Sequence, residues 1–72
     1  MNLLQQLANI PGESILAQVI RSGAEQGLLE GTCELIYTQG CDNDRMMREV
    51  VGDELYEACI DHHCQHVEIS IL

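Results

Sequence analysis

The shortness of this chain is the strongest constraint on its fold. Seventy-two residues allow one domain, residues 1–72, and a chain of this size buries only about 60% of the surface that its unfolded form exposes. Small domains commonly supplement such a core with a metal ion, disulfide bonds or a second subunit. The core must be mainly aliphatic, because the sequence contains no Trp, no Phe and only two Tyr residues.

Apolar residues at helical spacing predict two helices in the first part of the chain. Residues 2–8 carry three leucines at this spacing before Pro11-Gly12 interrupts them, so we expect a first helix of about two turns. The next helix has either Pro11 in its first turn or Ser14 as its N-cap, and Gly31 as its C-terminal stop. Its apolar stripe consists of Ile15, Leu16, Val19, Ile20, Ala24 and Leu28.

The second half of the chain alternates between two periods. Residues 32–38 and residues 66–72 alternate with a period of two, which predicts two strands. Between them, a 3.6-residue apolar period runs from about Asp44 to His62 and favours one long helix, kinked at Gly52. The alternative is that Gly52-Asp53 ends one helix and caps another. The predicted fold is therefore α+β, with the order α-α-β-α-β and a two-stranded antiparallel sheet packed on helices. Because two strands alone are marginally stable in water, we expect a homodimer that joins two such sheets at their edges.

The charge balance restricts the classes of partner. Twelve Asp and Glu residues face three Arg residues and no Lys, which gives a formal net charge of −9. Such a surface repels the phosphates of nucleic acids and anionic membranes, so we expect neither as a direct partner. A protein with a basic surface fits better. We also expect a cytoplasmic protein, because no segment has the length of a membrane span and the N-terminus lacks the pattern of a signal peptide.

The segment 59–66 concentrates two of the four cysteines and all three histidines of the chain. In a reducing compartment such cysteines are metal ligands or buried thiols more often than disulfides. Cys59 and His63 are four residues apart on a predicted helix, and Cys33 and Cys41 could complete a tetrahedral zinc site. The spacing matches no established zinc finger or ribbon, and the alternative is that Cys33 and Cys59 are core thiols.

These features favour a binding protein over an enzyme. A thiol nucleophile also needs a pocket and an oxyanion site, which chains of this length rarely supply. We therefore predict a non-enzymatic interaction module that regulates or inhibits a basic partner protein. A zinc-binding module and a thiol redox sensor are the alternatives. The predicted partner-binding residues form an acidic ridge with one apolar neighbour: Met46, Glu49, Asp53, Glu54 and Glu57.

Overall fold

Helices account for all the regular secondary structure in the part of the chain that the computed structural model describes, which is the backbone of residues 2–71 and the side chains of residues 2–67. The predicted α+β class is therefore wrong, and this part of the chain is all-α. The helices are α1 (Leu3–Ala8), α2 (Ile15–Glu25), α3 (Leu29–Asp42), α4 (Asp44–Val51) and α5 (Asp53–Ile71).

The strand predicted at residues 32–38 lies inside α3. Its alternation of apolar residues suits a strand, but the buried positions Thr32, Cys33, Ile36 and Gly40 repeat at helical spacing. A short β-branched and aromatic run is a weak signal, because strand preference depends on the neighbours that the run packs against. Here the neighbours are helices, and they favour the helical form.

The closing strand predicted at residues 66–72 is also wrong, because residues 66–71 continue α5; residue 72 lies outside the described residues. A terminal strand needs a neighbouring strand to bond its backbone groups, and residues 2–71 contain none. A helix satisfies its own backbone instead. The stated reason for a homodimer, two sheets joined at their edges, therefore disappears, and the homodimer itself stays a prediction.

The starts of the first two helices follow from their capping residues. Asn2 and Gln5 form a reciprocal capping box, in which Gln5 N donates to Asn2 Oδ1 at 2.9 Å and Asn2 N donates to Gln5 Oε1 at 3.0 Å. Ser14 caps α2 by accepting a hydrogen bond from Ala17 N at 3.1 Å. Of the two predicted starts for this helix, Ser14 is therefore correct, and Pro11 lies outside it.

Two glycines lie at breaks between helices that the apolar periodicity of the sequence does not predict. Gly27, with a φ of +79°, follows the end of α2, whereas the predicted stop at Gly31 is inside α3. Gly52, with a φ of +88°, divides the predicted long helix into α4 and α5. Both angles lie in the region that residues with a side chain seldom adopt. Gly52 is thus a break between two helices and not a kink within one.

The core lies where α3 packs on α5 and α1 packs on α2. Two glycines allow close approaches between helices. A Cβ atom added at Gly23 would lie 2.6 Å from Thr32 Oγ1, and one added at Gly40 would lie 2.7 Å from Tyr56 Cζ. The buried apolar residues are Leu7, Ile10, Ala17, Ile20, Ala24, Cys33, Ile36, Met47, Val51, Tyr56 and Cys59.

None of the helices within the described range combines the length and the apolar character that crossing a membrane requires. The cytoplasmic location stays a prediction.

Candidate functional site

Arg48 links the two helices that carry the predicted acidic ridge. From the last turn of α4, its Nε lies 2.8 Å from Asp44 Oδ2, its Nη1 lies 3.3 Å from Asp53 Oδ1, and its Nη2 lies 2.9 Å from Glu57 Oε1. The guanidinium carbon also lies 4.7 Å from the centroid of the Tyr56 ring, within the range of a cation–π interaction. The hydrogen bonds to Asp44 and then to Glu57 raise the pKa of Arg48. Two of the predicted partner-binding residues therefore already hold a cation of the same chain.

Tyr56 forms the buried side of this arrangement. Its side chain is 3% exposed, and its ring lies over Gly40, where a larger residue would collide with it. Burial, followed by its hydrogen bond to Asp44, raises the pKa of Tyr56. The Asp44 carboxylate accepts hydrogen bonds from Arg48 and Tyr56, and in that order they lower its pKa. We call Asp44, Arg48, Asp53, Tyr56 and Glu57 the Arg48 cluster.

The other predicted partner-binding residues lie apart from this cluster. Glu49 is 3.6 Å from Arg45 across an exposed pair, and Glu54 is exposed on α5. Met46 is half-buried and lies two residues before Arg48, so the two side chains leave α4 on nearly opposite sides. The structure thus brings Asp53 and Glu57 together and does not join Met46 and Glu49 to them.

The negative charge of the molecule lies at its surface. Of the twelve acidic residues, all but Glu68, whose side chain lies outside the described range, are exposed. Glu54, Glu57 and Asp61 follow one another at helical spacing along the outer side of α5, and Gln65 Nε2 donates to Asp61 Oδ2 at 3.1 Å. We call Glu54, Glu57 and Asp61 the α5 acidic ridge.

The positive charges, by contrast, are engaged within the chain. Arg48 and Arg45 pair with carboxylates as described above. Arg21 Nη1 donates to Ile10 O at 3.0 Å and to Gly12 O at 2.7 Å, which holds the segment between α1 and α2. These are the three arginines of the sequence, so each of them contacts an acceptor of its own chain.

The cysteines and histidines divide between the core and the surface. Cys33 and Cys59 are both 0% exposed. Their side chains share a hydrogen bond that lowers the pKa of Cys33 and, together with burial, raises that of Cys59. The imidazole of His63 lies against Tyr37, with ring centroids 4.7 Å apart. Cys41 is exposed.

A metal site is not assembled within the described residues, where no group of three or more His, Cys, Asp or Glu side chains could hold an ion. Of the four predicted ligands, the structure brings Cys33 and Cys59 together and leaves His63 beside Tyr37. Tyr37, His63, Cys64 and Val67 line a shallow pocket of about 250 Å³. Zinc binding by Cys33, Cys41, Cys59 and His63 stays a prediction.

A groove that was not predicted from the sequence runs along the outer side of α2. Three apolar residues of the predicted stripe point outward: Ile15 is 82% exposed, Val19 49% and Leu28 55%. The groove beside them has a volume of about 420 Å³. Its lining residues are Ile15, Gln18, Val19, Ser22, Gly23, Gln26 and Leu28, and we call it the α2 groove. The sequence feature that could have indicated this groove is the width of the apolar stripe. The stripe covers both sides of α2, and only one side can be buried in the core.

Comparison with known proteins does not assign the chain to a family: no family model, no curated protein and no solved structure matches it.

Proposed function

We propose that this chain is a non-enzymatic interaction module that regulates or inhibits a protein with a basic surface. The observation that supports the proposal best is the difference between its two kinds of charge. The acidic side chains of residues 2–67 are exposed, whereas each arginine is engaged within the chain. A surface of this kind attracts cations over several ångströms and offers little to an anion.

The proposed contact surface is the side of α4 and α5 that carries Glu49, Asp53, Glu54 and Glu57. Glu54 and Glu49 are the two anions of this surface outside the Arg48 cluster: Glu54 is exposed, and Glu49 has an exposed, long ion pair with Arg45. Asp53 and Glu57 each use one carboxylate oxygen for Arg48, and their side chains are 78% and 63% exposed. A carboxylate accepts several hydrogen bonds, so both residues can also accept one from a partner. Met46, which the sequence suggested as an apolar contact, is not part of this surface, because its side chain leaves α4 on nearly the opposite side from Arg48.

Charge reversal at the two positions outside the Arg48 cluster tests this surface. The double variant Glu49→Lys/Glu54→Lys leaves the contacts of Arg48 in place. The control Glu30→Lys/Glu34→Lys makes the same change of net charge at exposed positions of α3. Each tagged protein is used to capture partners from a lysate of the cells that produce it, and the captured proteins are quantified by mass spectrometry.

We expect the wild type and the control to capture the same basic proteins. The double variant should capture about threefold to tenfold less of them. That range corresponds to the loss of two exposed ion pairs. Equal depletion by both variants would mean that only net charge matters and would remove the case for this surface. Enrichment of no basic protein by the wild type would contradict the proposed function itself.

A further inference from the structure

The α2 groove is an apolar surface without a covering element in the described residues. Ile15 and Val19 are one turn apart on α2, and Leu28 follows at the end of the turn after it. The opposite side of α2 is occupied, because Ala17, Ile20 and Ala24 are buried in the core. Single exposed apolar residues are ordinary, but several that line one groove are typical of interaction surfaces.

The side-chain amide donors of the two glutamines in the α2 groove are bonded within the chain. Gln18 Nε2 donates to Glu13 O at 2.9 Å. Gln26 Nε2 donates to Ser22 O at 3.1 Å and to Ser22 Oγ at 3.0 Å. Covering a polar group costs free energy when its hydrogen bonds to water are lost without replacement. Here the amide donors already have partners in the chain, so an apolar surface that covers them leaves no amide donor unpaired.

The charges around the groove indicate the chemistry of its occupant. Its lining contains no charged residue. Gln18 bonds the backbone carbonyl of exposed Glu13 at one end, and exposed Glu25 follows Ser22 after three residues on the same edge of α2. Arg21 lies on that edge too, one turn before Glu25, but its guanidinium is directed to Ile10 O and Gly12 O. A second copy of the chain would bring one net charge of −9 against another, whereas a cationic partner would be attracted.

We propose that the α2 groove binds an amphipathic helix of the basic partner, with its apolar side on Ile15, Val19 and Leu28 and its Lys or Arg residues facing Glu13 and Glu25. Laying an amphipathic helix in an apolar groove is a common mode of peptide recognition. This inference rests on the proposed function, because it takes the partner to be basic. It adds a second contact surface, separate from the one on α4 and α5.

Two synthetic peptides of leucine and lysine test the groove. The probe has its leucines on one side of a helix, and the control peptide has the same composition in an order that gives no apolar side. Binding is measured by isothermal titration calorimetry to the wild type, to Ile15→Ser/Val19→Ser, and to Val67→Ser. Val67 is an exposed apolar residue outside the groove, 40% accessible, and serves as the matched control. All three proteins have the same net charge, and circular dichroism checks that they are folded.

We expect the wild type and Val67→Ser to bind the probe about tenfold more tightly than the control peptide, a ratio that needs roughly 1.4 kcal/mol of apolar contact. The Ile15→Ser/Val19→Ser variant should lose this preference and bind the two peptides about equally. Equal binding of both peptides by the wild type would overturn the inference and leave the proposed function standing. Binding of neither peptide would contradict both. A wild-type dimer in light scattering that Ile15→Ser/Val19→Ser dissociates would identify a second copy as the occupant and overturn the inference.

Discussion

The Arg48 cluster and the α2 groove reverse the roles that their residue types suggest. In the Arg48 cluster, charged residues contact one another, and they join α4 to α5 over a buried tyrosine. In the α2 groove, apolar residues face outward, and the neighbouring glutamines bond within the chain. Part of the charge of this molecule therefore stabilises its fold, and part of its apolar surface is exposed to solvent.

This difference separates two uses of the acidic residues. Asp44 has a structural role, because its carboxylate accepts hydrogen bonds from Arg48 and Tyr56. Glu54 and Asp61, on the α5 acidic ridge, have no arginine among their described contacts. We therefore expect substitutions in the Arg48 cluster, Glu57 included, to change stability more than binding. Substitutions of Glu54, of Asp61 or in the α2 groove should change binding more than stability.

The largest expected effect on stability is at Gly40, beneath the Arg48 cluster. A Cβ atom at this position would collide with Tyr56 Oη and lie 2.5 Å from Tyr56 Cε1. The ring cannot move aside freely, because it is 3% exposed and its hydroxyl bonds Asp44. Overpacking of this kind costs about 1–3 kcal/mol, and a rigid ring places the cost at the upper end. We expect Gly40→Ala to lower the free energy of unfolding by about 2 kcal/mol, measured by urea denaturation.

Gly31→Ala is the matched control for Gly40→Ala. Gly31 lies in the same helix, is exposed, and has nothing within 4 Å of an added Cβ atom. Removing a glycine from a helix there should raise the free energy of unfolding by about 0.5–1 kcal/mol. The two substitutions therefore have opposite predicted signs. Equal effects of the two would show that Tyr56 does not pack on Gly40 as described.

The second prediction concerns Arg48 itself. Arg48→Met keeps most of the side-chain length, removes the guanidinium group, and leaves Asp44, Asp53 and Glu57 close together without their cation. Arg45→Met is the control, because Arg45 is 92% exposed and makes one long ion pair. We expect Arg48→Met to lower the melting temperature by several degrees and Arg45→Met to leave it nearly unchanged.

Salt separates the loss of packing from the repulsion among carboxylates in the Arg48→Met variant. Added sodium chloride screens like charges at the surface, so it should recover part of the lost melting temperature. Melting curves at low and high salt, followed by circular dichroism, measure this recovery. Identical melting of the Arg48 and Arg45 variants in low salt would mean that the Arg48 cluster does not stabilise the junction of α4 and α5.

The sequence predicted the local parts of this fold and missed its long-range parts. The first helix and the Ser14 cap depend on near neighbours in the chain, and both are found in the structure. The segment from Asp44 to His62 is helical as its period predicts, but as two helices divided at Gly52 and not as one. The two predicted strands are wrong because a period of two over seven residues is decided by what the segment packs against. Residues 32–38 pack in a helical core, which no local sequence pattern predicts.

In the candidate sites, too, the local contacts can be predicted from the sequence and the long-range contacts cannot. The pair of Asp44 and Arg48 is four residues apart and can be recognised in the sequence as a helical ion pair. The reach of Arg48 to Asp53 and Glu57 depends on the positive φ of Gly52, which sets the direction of α5. The outward position of Ile15 could not be predicted either, because both sides of α2 are apolar and only the packing of α1 and α3 decides which side is buried.

The smallest expected effect is the pH dependence that Asp44 contributes. The hydrogen bonds from Arg48 and Tyr56 lower the pKa of Asp44 from its ordinary value of 3.8. A carboxyl group with a lowered pKa in the folded state adds stability above the pKa of the unfolded state, and this contribution is lost as pH falls through the folded-state pKa. Asp44→Asn removes the charge and should therefore be less stable than the wild type at neutral pH, with a difference that shrinks below about pH 4.

Melting temperatures from neutral pH to about pH 3 measure this difference, with Asp42→Asn as the control. Asp42 is an exposed neighbour at the end of α3, so its replacement makes the same change in net charge without removing the acceptor of Arg48 and Tyr56. Because the two variants share their long-range electrostatics, the gap between their curves reports the contacts of Asp44. A gap that stays constant with pH would mean that the charge of the Asp44 carboxylate contributes nothing to stability through the Arg48 cluster.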